Sequence, residues 1–217
     1  MPVYSVVQCI LPAFFFSPTP PGKRGYPMTL QTRVIGILTK PKDEWPAIAS
    51  ETTDIARLYK EFILLLAAIP AVCGFIGMTL VGFETILVGR YRTGVVSGFS
   101  HMIVQYALTL AGVYGAALII EKLAPSFQSK GDTVQALKLV AYASTPAWIA
   151  GVLSLIPPLS VLAVLAALYG IYLFYLGTTP VMQTPEDKRI PFMLVSGVVI
   201  IVIYFIVGAV AGVVLRF

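Results

Sequence analysis

One serine–histidine pair is the feature of this sequence that most resembles catalytic machinery. The stretch "GFSH", from Gly98 to His101, places Ser100 directly before the single histidine of the chain. A serine nucleophile needs a base within hydrogen-bonding reach to accept its proton. Neighbouring residues on a helix point about 100° apart, so we do not expect Ser100 and His101 to face each other. The pair is interpreted as an ordinary part of a helix, and hydrolysis is kept only as a minor alternative.

Other catalytic and metal-binding patterns are missing from the sequence. A zinc motif of the H-E-x-x-H type needs two histidines, and this chain has one. There is no G-x-x-x-x-G-K-[ST] loop to hold phosphates. Cys9 and Cys73 are too far apart to form a C-x-x-C pair. We therefore predict a protein that is not an enzyme and that has no metal site and no cofactor.

The composition points to a membrane protein. Hydrophobic residues make up 58% of the chain, charged residues make up 12%, and the mean hydropathy is +0.87. Soluble domains carry about 25% charged residues. This much apolar surface is more than a core of 217 residues can bury, so the surrounding lipid bilayer is the expected partner.

The distribution of charges predicts five membrane-spanning helices. A span needs about 20 residues with few or no charges. Adjacent prolines in "IPPLS", Ile156 to Ser160, divide one long uncharged run into two spans, because proline disfavours a continuous helix. Transmembrane strands would alternate apolar and polar residues, and these runs do not. The predicted fold is an all-α polytopic helix bundle with spans at about 62–83, 98–120, 139–156, 160–181 and 192–215.

Basic residues predict the orientation of the bundle. Cytoplasmic ends of spans carry an excess of Lys and Arg. With five spans, 12 of the 15 basic residues fall on the side of the N-terminus and 3 on the other, namely Arg90, Arg92 and Arg216. We predict a cytoplasmic N-terminus and an external C-terminus. Anionic lipid accounts for the net charge of +5, so no nucleic-acid partner is expected.

Residues 28–57 are predicted to form a cytoplasmic amphipathic segment at the membrane interface. Leu30, Val34, Ile37 and Leu38 recur at helical spacing and form one apolar face. Farther along, "KPKDEWPAIASE" surrounds Trp45 with charges, and tryptophan favours the headgroup level. Pro41 and Pro46 are expected to bracket a turn. A solvated loop with an incidental tryptophan is the alternative.

Residues 1–27 are set apart by their composition. The stretch "MPVYSVVQCILPAFFF" is apolar but lacks the basic start and the small-residue cleavage site of a secretory signal, and a Pro- and Gly-rich stretch follows it. Two interpretations remain open. The segment is either a disordered tail or an extension upstream of a start at Met28.

Small residues within the spans predict close helix packing. Gly208 and Gly212 form a G-x-x-x-G pattern, and Ala143, Ala147 and Gly151 form a second stripe near Pro146. Both suit close approach of helices. The contacts are either within the chain or with a membrane-protein partner or a second copy.

Several phrases in the sequence resemble the bacterial, five-span branch of the Yip family, named for proteins that interact with Ypt/Rab GTPases. Besides the Trp45–Pro46 stretch quoted above, these are "QALKLVAYASTPAWIAGVLSLIP", which contains Trp148, "LYGIYLFYLG", which contains Tyr169 and Gly170, and "TPEDK". The likeness extends from about Thr29 to the C-terminus, which makes residues 58–217 a Yip-like domain. It also implies a cytoplasmic N-terminus.

The resemblance does not imply a GTPase partner for this chain. Eukaryotic members carry an Asp-Leu-Tyr-Gly-Pro-Phe type motif before the first span, whereas this chain has Lys60 and Glu61 after Tyr59 in place of Gly-Pro. A Rab-type GTPase is therefore not expected. Three functions stay open: a non-enzymatic protein that organises partners or lipids, which we favour, a channel or small-solute transporter using Gln105, Ser144 and Thr145, and an intramembrane enzyme.

Overall fold

Five long apolar helices make up most of the part of the protein that the structure describes. The computed structural model describes residues 29–85, 89–91 and 94–214. Two short helices come first, α1 (Leu30–Thr39) and α2 (Pro41–Ser50). The long helices are α3 (Ile55–Val81), α4 (Val95–Leu123), α5 (Thr133–Ala150), α6 (Ala163–Met182) and α7 (Glu186–Val214). Each of the five is long and apolar enough to cross a bilayer, so the predicted all-α bundle with five spans is confirmed.

Aspartate caps start two of these helices before their apolar runs begin. The Asp54 carboxylate accepts the Arg57 backbone N–H at 2.7 Å, and the Asp132 carboxylate accepts that of Gln135 at 2.8 Å. Such caps supply an acceptor to the unpaired N–H groups of a first turn. The helices α3 and α5 therefore begin at Ile55 and Thr133, several residues before the spans expected from hydropathy at 62 and 139. Hydropathy marks the apolar part of a helix, whereas the cap marks its start.

The link between α3 and α4 contains strands that the sequence did not predict. Residues Phe83–Thr85 (β1) pair antiparallel with residues Gly89–Tyr91 (β2). Gly82 ends the preceding helix with a φ of 80°, a conformation that glycine adopts without strain. The pattern of apolar runs does not reveal a hairpin whose strands are only three residues long.

The predicted reversal lies between α5 and α6. Helix α5 continues into a 3₁₀ turn at Gly151–Leu155, Ile156 is extended, and a second 3₁₀ turn covers Pro157–Leu162. The adjacent prolines stand where the chain turns back, as expected from their effect on helices.

Helix α5 is at the centre of the bundle. It packs against α3, α4 and α6, while α7 packs against α4 and α6. The apolar window of α5 is 67% buried within the protein, against 17% to 28% for the other four. The helices alternate in direction and so define two ends. The basic end holds α1, α2 and the links at 124–132 and 183–185, and the hairpin end holds the strands and the link at 151–162.

Pro41 and Pro46 do not bracket a turn, so this prediction is wrong. Both lie in α2, with Pro41 at its first position. Proline is tolerated there because the first N–H groups of a helix have no partner within it. Pro46 is exposed, so the helix accommodates its ring on the outer side. The predictions for residues 1–27 and the side-chain surroundings of Gly212 lie outside the described residues.

Candidate functional site: the seat of the helix pair

The helix pair, α1 and α2, packs onto the basic end of α5 and α6. Its inner face consists of apolar side chains that are at most 4% exposed, namely Val34, Ile37, Trp45 and Ile48. The apolar face of α1 was predicted correctly from its helical spacing at Val34 and Ile37, because these two residues share the buried face. These side chains are covered by protein, however, and not by lipid headgroups. The helix pair is thus an integral part of the bundle.

Arg33 joins three parts of the N-terminal segment. Its guanidinium is 2.9 Å from the Glu44 carboxylate in α2 and 2.5 Å from the Glu51 carboxylate just after α2. The Arg33 side chain is 8% exposed, and Glu44 is 17% exposed. The planar fork of Arg can bind two carboxylates at once, which suits it to this position. The two ion pairs hold α1 against α2.

Lys138 connects α2 to the centre of the bundle. It lies in α5, is 2% exposed, and donates from Nζ to the carbonyl oxygens of Ile48 at 2.9 Å and Glu51 at 2.6 Å. Gln135, one turn earlier, donates to the carbonyl of Ala49 at 3.4 Å. The last carbonyls of a helix lack partners within the helix and carry partial negative charge, so a buried cation is stabilising there. Lys138 therefore acts as a cap supplied from another helix.

Trp45 fills a notch between α5 and α6. Its side chain is 1% exposed and meets the Tyr142 ring edge-on, with ring centroids 6.3 Å apart. The notch exists because residue 177 is glycine. A Cβ added at Gly177 would lie 2.8 Å from the Trp45 ring and 2.6 Å from Leu139. The indole of Trp45 is thus enclosed by protein and does not contact the surroundings of the bundle.

Tyrosine hydroxyls make three further links between distant segments. Tyr169 of α6 donates to the Leu38 carbonyl of α1 at 2.8 Å. Tyr59 and Tyr106 link α3 and α4 in both directions, donating to the carbonyls of Leu110 at 2.8 Å and Leu64 at 2.9 Å. Leu64 and Leu110 lie within spans, where their carbonyls have no water to bond with. The tyrosines therefore serve as structural ties.

The small residues of α5 and α6 allow close packing within the chain. Gly170 lies against the Ala143 carbonyl, since an added Cβ would be 2.7 Å from that oxygen. At Gly151 an added Cβ would be 2.5 Å from Pro70 of α3. Pro146 and Trp148 are buried in α5. Gly208 differs, because an added Cβ would meet nothing within 4 Å.

The polar residues proposed for chemistry or transport do not come together. The Ser100 hydroxyl donates to the Val96 carbonyl of its own helix at 3.1 Å. Thr145 donates to the Ala141 carbonyl of its own helix at 3.3 Å. His101 and Gln105 line a groove on the other side of α4. The described residues thus show neither a Ser100–His101 contact nor a cavity shared by Gln105 and Ser144.

Two key residues of the site, Arg33 and Lys138, were counted in the sequence only among the basic residues of the N-terminal side. Arg33 was also expected to lie off the apolar face of α1, which is wrong, because it is buried beside Val34 and Ile37. A signal for each exists. Arg33 directly precedes Val34 on the apolar side of α1, and Lys138 lies between Leu137 and Leu139. A charge inside an apolar pattern indicates a buried ionic partner, because an unpaired buried charge is costly.

Comparisons with known proteins place the chain among membrane proteins. The family model described as the Yip1 domain matches residues 35–210. Two curated relatives, both named inner membrane protein YohC, come from Escherichia coli strains K12 and O6:H1 (CFT073). Each is 27% identical over 168 residues, covering 74% of this chain and 84% of the relative. No solved structure matches the chain.

Proposed function

Because this chain belongs to the Yip1 domain family of integral membrane proteins, we propose that it is a non-enzymatic organiser of the bacterial cytoplasmic membrane. In this proposal the helix pair faces the cytoplasm and presents a surface to a membrane-protein partner, to a second copy or to anionic lipid headgroups. The C-terminus then lies outside. The distribution of Lys and Arg supports this orientation.

One observation carries the proposal: the helix pair has a fixed inner face and a free outer face. Trp45, Arg33 and Lys138 hold the inner face through burial, ion pairs and hydrogen bonds. The outer face of α2 consists of exposed residues at helical spacing, Lys42, Asp43, Pro46, Ala47 and Ser50. A surface held in one conformation loses less entropy on binding than a flexible tail does. The helix pair is therefore suited to act as a docking platform.

The surface beside this platform carries exposed charges of both signs. Lys40 and Lys42 are exposed next to Asp43, and Arg57 pairs with Glu61 at 3.0 Å across one exposed helical turn. Exposed charges tune recognition and encounter rates more than they add stability. We expect partner choice to depend on Lys42 and on the shape around Pro46.

The test compares two variants with altered charges at the basic end. The variant Lys42→Glu with Ala47→Arg alters the outer face of α2, whereas Lys130→Glu alters an exposed residue of the α4–α5 link. In-membrane photo-crosslinking from Ser50 should yield a specific set of neighbours that the first variant loses and the control keeps.

Two results would contradict the proposal. One is an identical set of crosslinked neighbours in all three proteins. The other is solute or ion flux into liposomes containing the purified chain, which would support the transporter alternative instead. Loss of a membrane phenotype in a Ser100→Ala, His101→Ala double variant would support the enzyme alternative.

A further inference from the structure

The tip of the helix pair, residues 39–42, points toward the hairpin end of the bundle. Helix α2 runs antiparallel to α5, because three contacts follow each other in opposite order along the two helices, namely Ala49 with Gln135, Ile48 with Lys138 and Trp45 with Tyr142. Beside the tip, the Leu38 carbonyl accepts the Tyr169 hydroxyl of α6 at 2.8 Å. These contacts fix the level of the tip along α5 and α6.

The tip lies where the exposed apolar surface of α6 ends. Toward the hairpin end, α6 exposes a run of apolar side chains, namely those of Val164, Leu165, Leu168, Ile171 and Tyr172. From Leu173 to Met182 no residue of α6 is exposed, and α2, α5 and α7 pack against this helix. Exposed apolar side chains on a spanning helix face lipid. Tyr172, at the end of the run, is 43% exposed, and tyrosine is enriched where the membrane meets water.

Helix α3 places the edge of the hydrocarbon at the same level. The ring of Phe62 packs against that of Tyr142 with centroids 4.3 Å apart, and Tyr142 in turn meets Trp45. Glu61 comes directly before Phe62, and no charge follows within α3. Residues 62–81 are about 30 Å long, which is the thickness of the hydrocarbon core. The three rings therefore mark the edge of the hydrocarbon at the basic end, beside the tip.

Two lysines of the tip have no counter-ion within the described part of the protein. Lys40 and Lys42 are both exposed, and neither forms an ion pair among the described residues. Asp43 is exposed next to them, and Glu44 is paired with Arg33. Two cations beside one free carboxylate leave the tip positive. At the edge of the hydrocarbon the anions at hand are lipid phosphates, which attract such lysines.

We propose that the tip of the helix pair is a binding site for the phosphate of an anionic phospholipid in the leaflet at the basic end. Lys40 and Lys42 contact the phosphate, and the exposed ring of Tyr172, whose centroid is 5.8 Å from that of Tyr169, borders the site. This inference rests on the proposed function, in which the helix pair is the docking platform, and it names the lipid that the tip takes. Phosphatidylglycerol should be preferred to phosphatidylethanolamine, because the second carries no net negative charge.

The experiment captures lipid at the tip within the membrane. A photoreactive benzoylphenylalanine replaces the exposed Thr39 in the full chain, which is reconstituted into vesicles of phosphatidylethanolamine and phosphatidylglycerol. Mass spectrometry of the adducts should show phosphatidylglycerol above its share of the vesicle lipid. The same group at Ser50, at the opposite end of α2, should capture far less lipid. The proposal is overturned by equal lipid capture at the two positions, or by adducts at Thr39 that match the vesicle composition.

Two double variants test the lysines themselves. Lys40→Gln with Lys42→Gln removes the charges of the tip, whereas Lys122→Gln with Lys130→Gln removes two exposed charges elsewhere at the basic end. One lysine near an anionic surface contributes about fivefold in affinity, so the first variant should lower the enrichment of phosphatidylglycerol about fivefold or more. The second should leave it unchanged, and Asp43→Asn should raise it. Equal enrichment in the two double variants, or no rise in Asp43→Asn, would overturn the proposal.

The outcomes for the tip and for the docking platform can be told apart. Lipid adducts at Thr39 report on the tip, whereas protein neighbours crosslinked from Ser50 report on the platform. Protein adducts at Thr39 in place of lipid would overturn the lipid assignment and support a protein partner there. An absence of lipid adducts at Thr39, together with specific protein neighbours at Ser50, would overturn this inference and leave the proposed function supported.

Discussion

Lys138 in α5 donates a hydrogen bond to the carbonyl oxygen of Ile48 in α2 across 2.9 Å, although 90 positions separate the two residues. The same ammonium also reaches the carbonyl of Glu51. One buried cation thus ends a helix and attaches it to the most buried span. The position of the helix pair depends on this contact, together with Arg33 and Trp45.

Replacing the cation tests this attachment. Lys138→Met keeps the length of the side chain but leaves the carbonyls of Ile48 and Glu51 without their charged donor. We expect the free energy of unfolding to fall by about 2–4 kcal/mol, since hydrogen bonds to charged groups contribute about 1.5–3 kcal/mol each and compensation is partial. Thermal unfolding in detergent and protease sensitivity of α2 would measure the effect. Lys130→Met, at an exposed position, is the control, and equal melting temperatures would refute the assignment.

Two arginines allow a comparison of buried and exposed ion pairs. Arg33→Met removes the partner of Glu44 and Glu51 in a largely buried site, and we expect a loss of about 2–4 kcal/mol. Arg57→Met removes an exposed pair with Glu61, whose side chains are 52% and 63% exposed, so the melting temperature should not change measurably. Similar melting temperatures for the two variants would show that Arg33 does not hold the helix pair together.

The notch at Gly177 predicts coupling with Trp45. Gly177→Ala introduces a methyl group into the space of the indole, and such overpacking costs about 1–3 kcal/mol. Trp45→Phe shortens the opposing ring, so the double variant should lose less stability than the sum of the two single variants. Chemical or thermal unfolding of the four proteins gives the coupling energy. Strict additivity would mean that the two residues are not in contact.

Two glycines predict opposite responses to a single methyl group. Gly170→Ala would press against the Ala143 carbonyl and should destabilise the bundle by about 1–3 kcal/mol. Gly208→Ala points into open space within the chain and should leave stability unchanged or slightly higher, because Ala favours helix over Gly by about 1 kcal/mol. Melting temperatures test both. A large loss in Gly208→Ala would show that this face of α7 is covered, for example by a second copy.

Orientation is tested with reporters at the chain ends. If the basic end faces the cytoplasm, a periplasm-active reporter fused after Phe217 should be active and a cytoplasm-active one inactive. Reversing the charge of Lys122 or Lys188 alone should not change this, because the other basic residues keep the bias. A cytoplasmic C-terminus would contradict the predicted orientation.

The five spans could be predicted from the sequence because they depend on a local property. An apolar run either is or is not long enough to cross hydrocarbon, and the runs around Phe62, Gln105, Val140, Leu173 and Ile201 all satisfy that condition. The caps at Asp54 and Asp132 extended two helices beyond the runs, and the β1–β2 hairpin was too short for any periodic signal. The error at Pro41 and Pro46 has a similar origin, because proline at a first position or on an exposed face permits a helix.

The sequence by itself determined the lipid medium, the number of membrane spans and the apolar face of α1, because hydrophobicity and its period depend only on the order of residues along the chain. Only the tertiary structure decided what covers that face. Periodicity shows that Val34 and Ile37 avoid water, yet lipid and protein satisfy this requirement equally well. That face is covered by protein and not by lipid because of contacts between distant residues, such as Lys138 with Ile48 and Trp45 with Gly177. Their geometry exists only after α5 and α6 have packed together.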